Sequence, residues 1–139
     1  MPRARPRLHA MLHAAHAVEA EVETQLNTIG LSMAKLAALH ALLDAGDPLP
    51  LSQLAGRLSC VKSNITQLVD RLEAEGLVAR KPDPADRRTR LATLTTAGRK
   101  AVREGLRVME AAERGVLDRL THDEAHQLHA LLGKMGTPG

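Results

Sequence analysis

The sequence predicts a mainly α-helical fold with one small β-hairpin. Apolar residues recur at helical spacing in six segments of the 139-residue chain, whereas the two short apolar runs of the hairpin are separated by arginines and prolines. The chain contains no Phe, Tyr or Trp, so its core must be built from Leu, Val, Ala, Met and Ile. A core of this composition favours packed helices.

The N-terminal part predicts two helices. Residues 8–27 contain no Pro or Gly and keep helical apolar spacing, which predicts a long first helix. Ser32 is suited to cap a second helix over residues 33–45, and a Gly-Asp-Pro sequence stops that helix. Residues 1–7 combine three arginines with two prolines, which is typical of a flexible terminal arm.

The centre of the chain predicts two short helices joined by a tight connector. Each helix has apolar residues at i, i+3, i+4 and i+7, so the two can bury these stripes against each other. Pro50 lies near the start of the first helix, where its missing N–H is tolerated. Ser59-Cys60-Val61 forms the connector, and the arrangement is that of a helix-turn-helix. The stripes consist of Leu51, Leu54, Ala55 and Leu58 in the first helix and of Ile65, Leu68, Val69 and Leu72 in the second.

An arginine-rich hairpin follows the second of these helices. Gly76 is placed to end that helix in a left-handed conformation, and residues 77–79 and 91–94 are predicted as the two strands. Between them, residues 80–90 hold five cations and two anions, and the prolines exclude a helix. A narrow basic hairpin beside a helix pair makes a winged helix-turn-helix, whose wing can reach a phosphate backbone or a minor groove.

Two further helices are predicted after the hairpin. Thr95 or Thr96 can cap a long helix that runs to about Leu120, and residues 121–124 have the spacing of a capping box that opens a last helix. The first and last helices keep apolar stripes that need a partner. Packing against a second copy of the chain would bury them, which predicts a two-fold dimer.

The outer face of the second central helix predicts contact with double-stranded DNA. At about 100° per residue, its polar side chains fall opposite the apolar stripe, where hydrogen-bonding and cationic groups suit a major groove. The wing arginines are then expected to reach a phosphate backbone or the adjacent minor groove. Asp70 and Asp86 are expected to pair with basic side chains, because phosphates would repel them. The candidate DNA-binding residues are Lys62, Ser63, Asn64, Thr66, Gln67, Arg71, Arg87, Arg88 and Arg90.

The segment SQLAGRLSCVKSNITQLVDRLEAEGLVARKPDPADRRTRLATLTTAGR resembles the winged core of the multiple antibiotic resistance regulator (MarR) family. The resemblance is close over residues 31–99. It is most specific in three stretches, which are LVDRLEAEGLV, the wing sequence DPADRR and the sequence LTTAGR after the wing. Pro50 and Val61 stand where members of the family commonly have residues that cap the two central helices, and Ser59 stands where they commonly have a turn glycine.

The resemblance implies a homodimeric bacterial transcription regulator, often a repressor, that binds a palindromic operator. A small-molecule effector or another signal would release it from DNA. The winged helix-turn-helix core would span residues 31–96, and residues 1–30 and 97–139 would form a helical dimerisation region within a single compact domain. Two alternatives stay open: a zinc-sensing regulator of the same fold, and a winged-helix module whose basic wing binds an acidic protein.

The seven histidines and the single cysteine leave further alternatives open. Three histidines share one face of the first helix and three share one face of the last, and imidazoles at i and i+4 can share a Zn²⁺ ion. The commoner explanation is a polar face on a dimerisation helix. Cys60 is either a thiol sensor or a small apolar residue of the core. The candidate metal ligands are His9, His13, His40, His122 and His126.

Composition argues against several function classes. No apolar run approaches the length that spans a bilayer, and no secretory signal is recognisable, so a membrane protein is not expected. A single cysteine forms no internal disulfide, which fits a cytoplasmic protein. Without aromatic rings, recognition of RNA or single strands loses its main stacking contact. No enzyme motif is present, so neither catalysis nor a cofactor is expected.

Overall fold

The structure is a computed structural model that describes residues 7–46, 48–58 and 64–136. The elements in these ranges are α1 (Arg7–Asn27), α2 (Met33–Ala45), β1 (Leu49–Pro50), α3 (Leu51–Arg57), α4 (Ile65–Ala74), β2 (Val78–Pro82), β3 (Arg90–Leu94), α5 (Thr96–Leu117) and α6 (His122–Met135). The three strands form an antiparallel sheet in the order β1-β3-β2. A mainly α fold with a small hairpin is therefore confirmed.

Side-chain caps begin three helices where the sequence predicts them. The Ser32 hydroxyl accepts a hydrogen bond from the backbone N–H three residues on, at 3.1 Å, and so caps α2. Thr95 caps α5 in the same way at 3.0 Å, which selects the first of the two adjacent threonines. Thr121 and Glu124 form the expected capping box of α6, and the hydrogen bonds from Thr121 lower the pKa of the Glu124 carboxyl.

Strand β1 is not predicted by the sequence. Leu49 pairs with Ala92, and Pro50 pairs with Leu91, so β1 adds an edge strand to the hairpin directly before α3 begins. Two residues are too short to show strand alternation, and a proline suggests a helix start as readily as an edge strand. As a result, the start of the helix-turn-helix is tied to the hairpin through the sheet.

One buried core joins α1, α2, α3, α4, α5 and the sheet. Its largest fully buried side chains are Leu26, Leu39, Leu54, Leu72, Val69, Val78 and Val102. Helix α5 packs closely against α2, because a Cβ at Gly105 would lie 2.7 Å from a methyl carbon of Leu36 and 2.8 Å from one of Leu31. Ala55, which the sequence places on the apolar stripe of α3, is exposed. The buried side of α3 is therefore narrower than its spacing predicts.

Helices α1 and α6 expose apolar side chains. Only Val22 and Leu26 of α1 are buried, where α1 packs against α5, and α6 has no buried residue. The exposed large apolar side chains of the described ranges are Leu8, Met11, Leu12, Val18, Leu128, Leu131, Leu132 and Met135. All of them lie on these two helices. No helix of these ranges is both long and apolar enough to cross a membrane.

Candidate nucleic-acid interface

Helix α4 is amphipathic in the way the sequence predicts. Leu68, Val69 and Leu72 are buried against the core, and Ile65 is half-buried. The helix ends at Ala74, and Gly76 follows it in a left-handed conformation, with φ of 76°, as its position suggests. The polar residues on the other side of α4 are all exposed, namely Thr66, Gln67, Asp70 and Arg71. These are the side chains that the sequence assigns to a DNA-facing surface.

Helix α4 begins later than the family resemblance implies. The resemblance places the helix cap at Val61, whereas the first helical residue is Ile65 and the cap is Asn64. The Asn64 side-chain oxygen accepts hydrogen bonds from the backbone N–H groups of Thr66 and Gln67, at 3.1 and 3.3 Å. Asparagine is a strong N-cap because its short side chain reaches these N–H groups.

Three predicted site residues precede Asn64 in the sequence. Cys60, Lys62 and Ser63 lie outside the described residues. The thiol-sensor and DNA-contact assignments made for them from the sequence therefore stay predictions.

The hairpin turn is held by its own hydrogen bonds. Strands β2 and β3 are in register from Val78–Leu94 to Pro82–Arg90, and the turn of Asp83–Thr89 joins them. Inside the turn, the Asp83 N–H donates to the Thr89 carbonyl at 2.9 Å, and the Thr89 N–H donates to the Asp86 carbonyl at 2.9 Å. This turn presents exposed Arg87 and Arg88.

Asp86 has a different role from the one expected. Its carboxylate accepts from the backbone N–H of Arg88 at 3.0 Å and from the Thr89 hydroxyl at 3.1 Å. It therefore fixes the turn backbone, and it takes part in none of the ion pairs found within the described ranges. An Asp carboxylate readily accepts a hydrogen bond from the backbone N–H two residues later. This local bond forms here in place of an ion pair with an arginine side chain.

Arg80 links the hairpin to α4. Its guanidinium lies 2.7 Å from the Asp70 carboxylate and 3.0 Å from the Glu73 carboxylate. The expected pairing of Asp70 with a basic side chain is thus confirmed. The hydrogen bond from Arg80 lowers the pKa of the Glu73 carboxyl and raises the pKa of the Arg80 guanidinium. The sequence counts Arg80 simply as one wing cation among five.

Arg90 lies apart from the two arginines of the turn. It is the first residue of β3 and pairs with Pro82, so its side chain shares a sheet face with Arg80. Together with Arg80 and Glu73 it lines an open cleft of about 340 Å³ between the hairpin and α4. Its positive charge also lowers the pKa of the Glu73 carboxyl.

A second groove runs between α2 and α4. It measures about 210 Å³, and it is lined in part by Ser32, Lys35, Gln67 and Arg71. Lys35 also forms an ion pair with Glu75, at 2.5 Å, which ties α2 to the end of α4. Sequence reasoning missed Lys35, because nothing in the spacing along one helix shows which residues of another helix lie beside it.

The histidines do not gather into a metal site within one chain. In the ranges that the structure describes, no group of three or more His, Cys, Asp or Glu side chains could hold a metal ion. His9 and His13 on α1, His40 on α2, and His122 and His126 on α6 are all exposed. A zinc site formed within one chain is therefore not favoured.

Comparison with known proteins identifies relatives with the same architecture. The family model described as MarR family matches residues 31–89. The HTH-type transcriptional repressor Rv2887 of Mycobacterium tuberculosis is 30% identical over 117 residues, which cover 84% of each chain.

Solved structures agree with the family match over nearly the whole chain. A probable transcriptional regulator from Pseudomonas aeruginosa is 32% identical, with a TM-score of 0.81, over 95% of this chain and 98% of that one. Bordetella bronchiseptica BpsR, whose DNA binding is regulated by 6-hydroxynicotinic acid, is 27% identical, with a TM-score of 0.80, over 97% of this chain and 96% of that one. The winged helix-turn-helix, the repressor relative and these structures together show that the chain belongs to the MarR family of transcriptional regulators.

Proposed function

We propose that this protein is a homodimeric, cytoplasmic repressor that binds a palindromic operator in double-stranded DNA and is released by a small-molecule effector. Residues 31–96 would form the DNA-binding core, and the helices on either side would form the dimer. The protein would act by binding alone, without a catalytic step. The observation that most directly supports this proposal is the exposed polar face of α4 beside a hairpin whose tip presents Arg87 and Arg88.

The geometry of one protomer supports a two-groove contact. In winged helix-turn-helix proteins a recognition helix enters the major groove, and arginine inserts well into a narrow minor groove. Here Gln67 and Arg71 would contact base edges or phosphates, with Thr66 beside them. Arg87 and Arg88 would enter the minor groove. Lys62, Ser63, Asn64 and Arg90 complete the proposed surface. The repressor Rv2887 and the DNA-binding regulator BpsR are consistent with this assignment.

Dimerisation is supported by the apolar faces of α1 and α6. Eight large apolar side chains are exposed on these two helices, and large exposed apolar patches mark protein–protein interaction sites. A two-fold axis through this region would present two recognition helices and two wings to successive turns of DNA. A ligand lodged between the dimer helices and the winged cores would change the spacing of the recognition helices and weaken binding.

The decisive experiment is fluorescence anisotropy with the promoter upstream of the protein's own gene, against a scrambled duplex, across a salt series. We expect tighter binding to the promoter and an affinity that falls steeply with salt, because phosphate contacts release counterions. Absence of binding to either duplex at low salt would refute the proposal and favour the protein-interaction module. Adding aromatic acids to the bound complex then tests release by a ligand.

We expect Leu131→Glu with Leu132→Glu to dissociate the dimer, because two buried charges at an apolar interface have no partner. Size-exclusion chromatography with light scattering should then give the chain mass of 15.0 kDa instead of twice that value. The matched control, Gln127→Glu with Ala130→Glu, adds the same charge to α6 outside its apolar stripe and should stay dimeric. A molar mass of one chain for the wild-type protein would contradict the proposal that it is a dimer.

A further inference from the structure

The two carboxylates of α4 create a problem for a DNA-binding helix. Asp70 and Glu73 lie on the exposed side of α4, next to Arg71. Carboxylates on a surface that approaches phosphates repel the DNA, because like charges brought together at an interface disfavour binding. If α4 is to bind DNA, something must offset this charge.

The Arg80 side chain meets both carboxylates at once. One guanidinium nitrogen lies 2.7 Å from Asp70, and another donates to Glu73 at 3.0 Å. The backbone N–H of Arg80 also donates to the Glu73 carboxylate, at 3.2 Å. The Arg80 side chain is only 25% exposed, and two of its guanidinium nitrogens are engaged by the carboxylates. It is poorly placed to contact a phosphate itself.

The same contacts fix the hairpin against α4. The backbone bonds between the two elements lie at the base of the hairpin, from Gly76 to Glu73 at 3.0 Å and from Leu77 to Leu72 at 2.9 Å. Arg80 lies further along β2, towards the turn. Within the described ranges, it forms every ion pair that joins α4 to the hairpin.

We infer that Arg80 is a positioning residue for DNA binding, which neutralises Asp70 and Glu73 and holds the wing at the angle that lets both grooves be filled together. Arg80 acts through these carboxylates and does not contact the DNA. The inference rests on the proposed function. It adds to the recognition surface a residue that the sequence counts only as a wing cation.

A double-mutant cycle on the full-length protein tests this inference. We expect Arg80→Met to weaken operator binding at least tenfold in the wild-type background. In a background of Asp70→Asn with Glu73→Gln, the same change should cost less than threefold, because no carboxylate remains to be masked. Affinities are compared at a temperature where circular dichroism shows every variant folded, so that a change in global stability does not move them. Equal losses in the two backgrounds would mean that Arg80 contacts phosphate, and would overturn the inference.

Lys81→Met provides the matched control. Lys81 is the next residue of β2, so it carries the same charge on the opposite face of the hairpin, and it is exposed. Its removal should cost the same affinity in both backgrounds.

Amide hydrogen exchange of the hairpin without DNA gives a second readout. Exchange should be faster in Arg80→Met and unchanged in Lys81→Met, and unchanged exchange in Arg80→Met would overturn the bracing role. A wild-type protein that binds no operator would instead refute the proposed function, so the two failures are distinguishable.

Discussion

Replacing Arg87 and Arg88 with alanine is expected to reduce operator affinity roughly 100- to 1,000-fold at 150 mM salt, because a dimer then loses four wing cations, each able to displace a counterion. Both side chains are exposed on a turn whose backbone is held by Asp86, so alanine at these positions leaves the turn intact. The slope of log affinity against log salt should become shallower by about 3 to 4. Fluorescence anisotropy across a salt series measures both quantities.

The control for this experiment removes the same charge from another surface. Arg103→Ala with Arg107→Ala takes two exposed cations from α5 and should change affinity and slope much less. If the wing variant binds the operator as well as the wild type does, the hairpin is not a DNA contact. The acidic-protein alternative would then be the better account of the basic wing.

We expect Gly98→Ala to lower the free energy of unfolding by about 3 kcal/mol or more. The added methyl group would clash with backbone atoms, which cannot move aside as a flexible side chain could. A Cβ at Gly98 would lie 2.0 Å from the carbonyl oxygen of Leu77 and 3.0 Å from its carbonyl carbon. That carbonyl also accepts the N–H of Thr95 at 3.1 Å. Moving it would disturb the junction between the hairpin and α5.

Urea unfolding at a fixed protein concentration measures this loss. Gly56→Ala is the matched control, since nothing lies within 4 Å of a Cβ built there. A helical glycine in open space costs about 0.5–1 kcal/mol relative to alanine, so this variant should be slightly more stable than the wild type. Equal midpoints for the two variants would contradict the close packing at Gly98.

Local signals were sufficient to predict most of the fold. Ser32, Thr95 and the capping box at Thr121 mark helix starts because a cap acts within a few residues. The apolar stripe of α4 and the glycine after it are equally local. Strand β1 was not predicted, because its two residues form a strand only by pairing with β3, about forty residues later in the chain.

The site was harder to predict than the fold, for the same physical reason. Asp70 could be assigned a basic partner, because a carboxylate on a DNA-facing helix needs one. The identity of that partner depends on how β2 packs against α4, because this packing places Arg80 beside both Asp70 and Glu73. Lys35 approaches Arg71 and Gln67 only through the packing of α2 on α4. Sequence spacing within one element contains none of this information.

The closed turn at the wing tip affects how the protein docks on DNA. Six hydrogen bonds inside Asp83–Thr89 fix its shape in the unbound protein, and the Asp86 side chain accepts two of them. Ordering a mobile loop on binding costs roughly 1–2 kcal/mol per residue, and here that entropy is lost during folding. Only the arginine side chains remain to be ordered at the interface. The wing should therefore bind DNA without changing its backbone conformation. Calorimetry of operator binding should then lack the large heat-capacity change seen when a segment folds on its target.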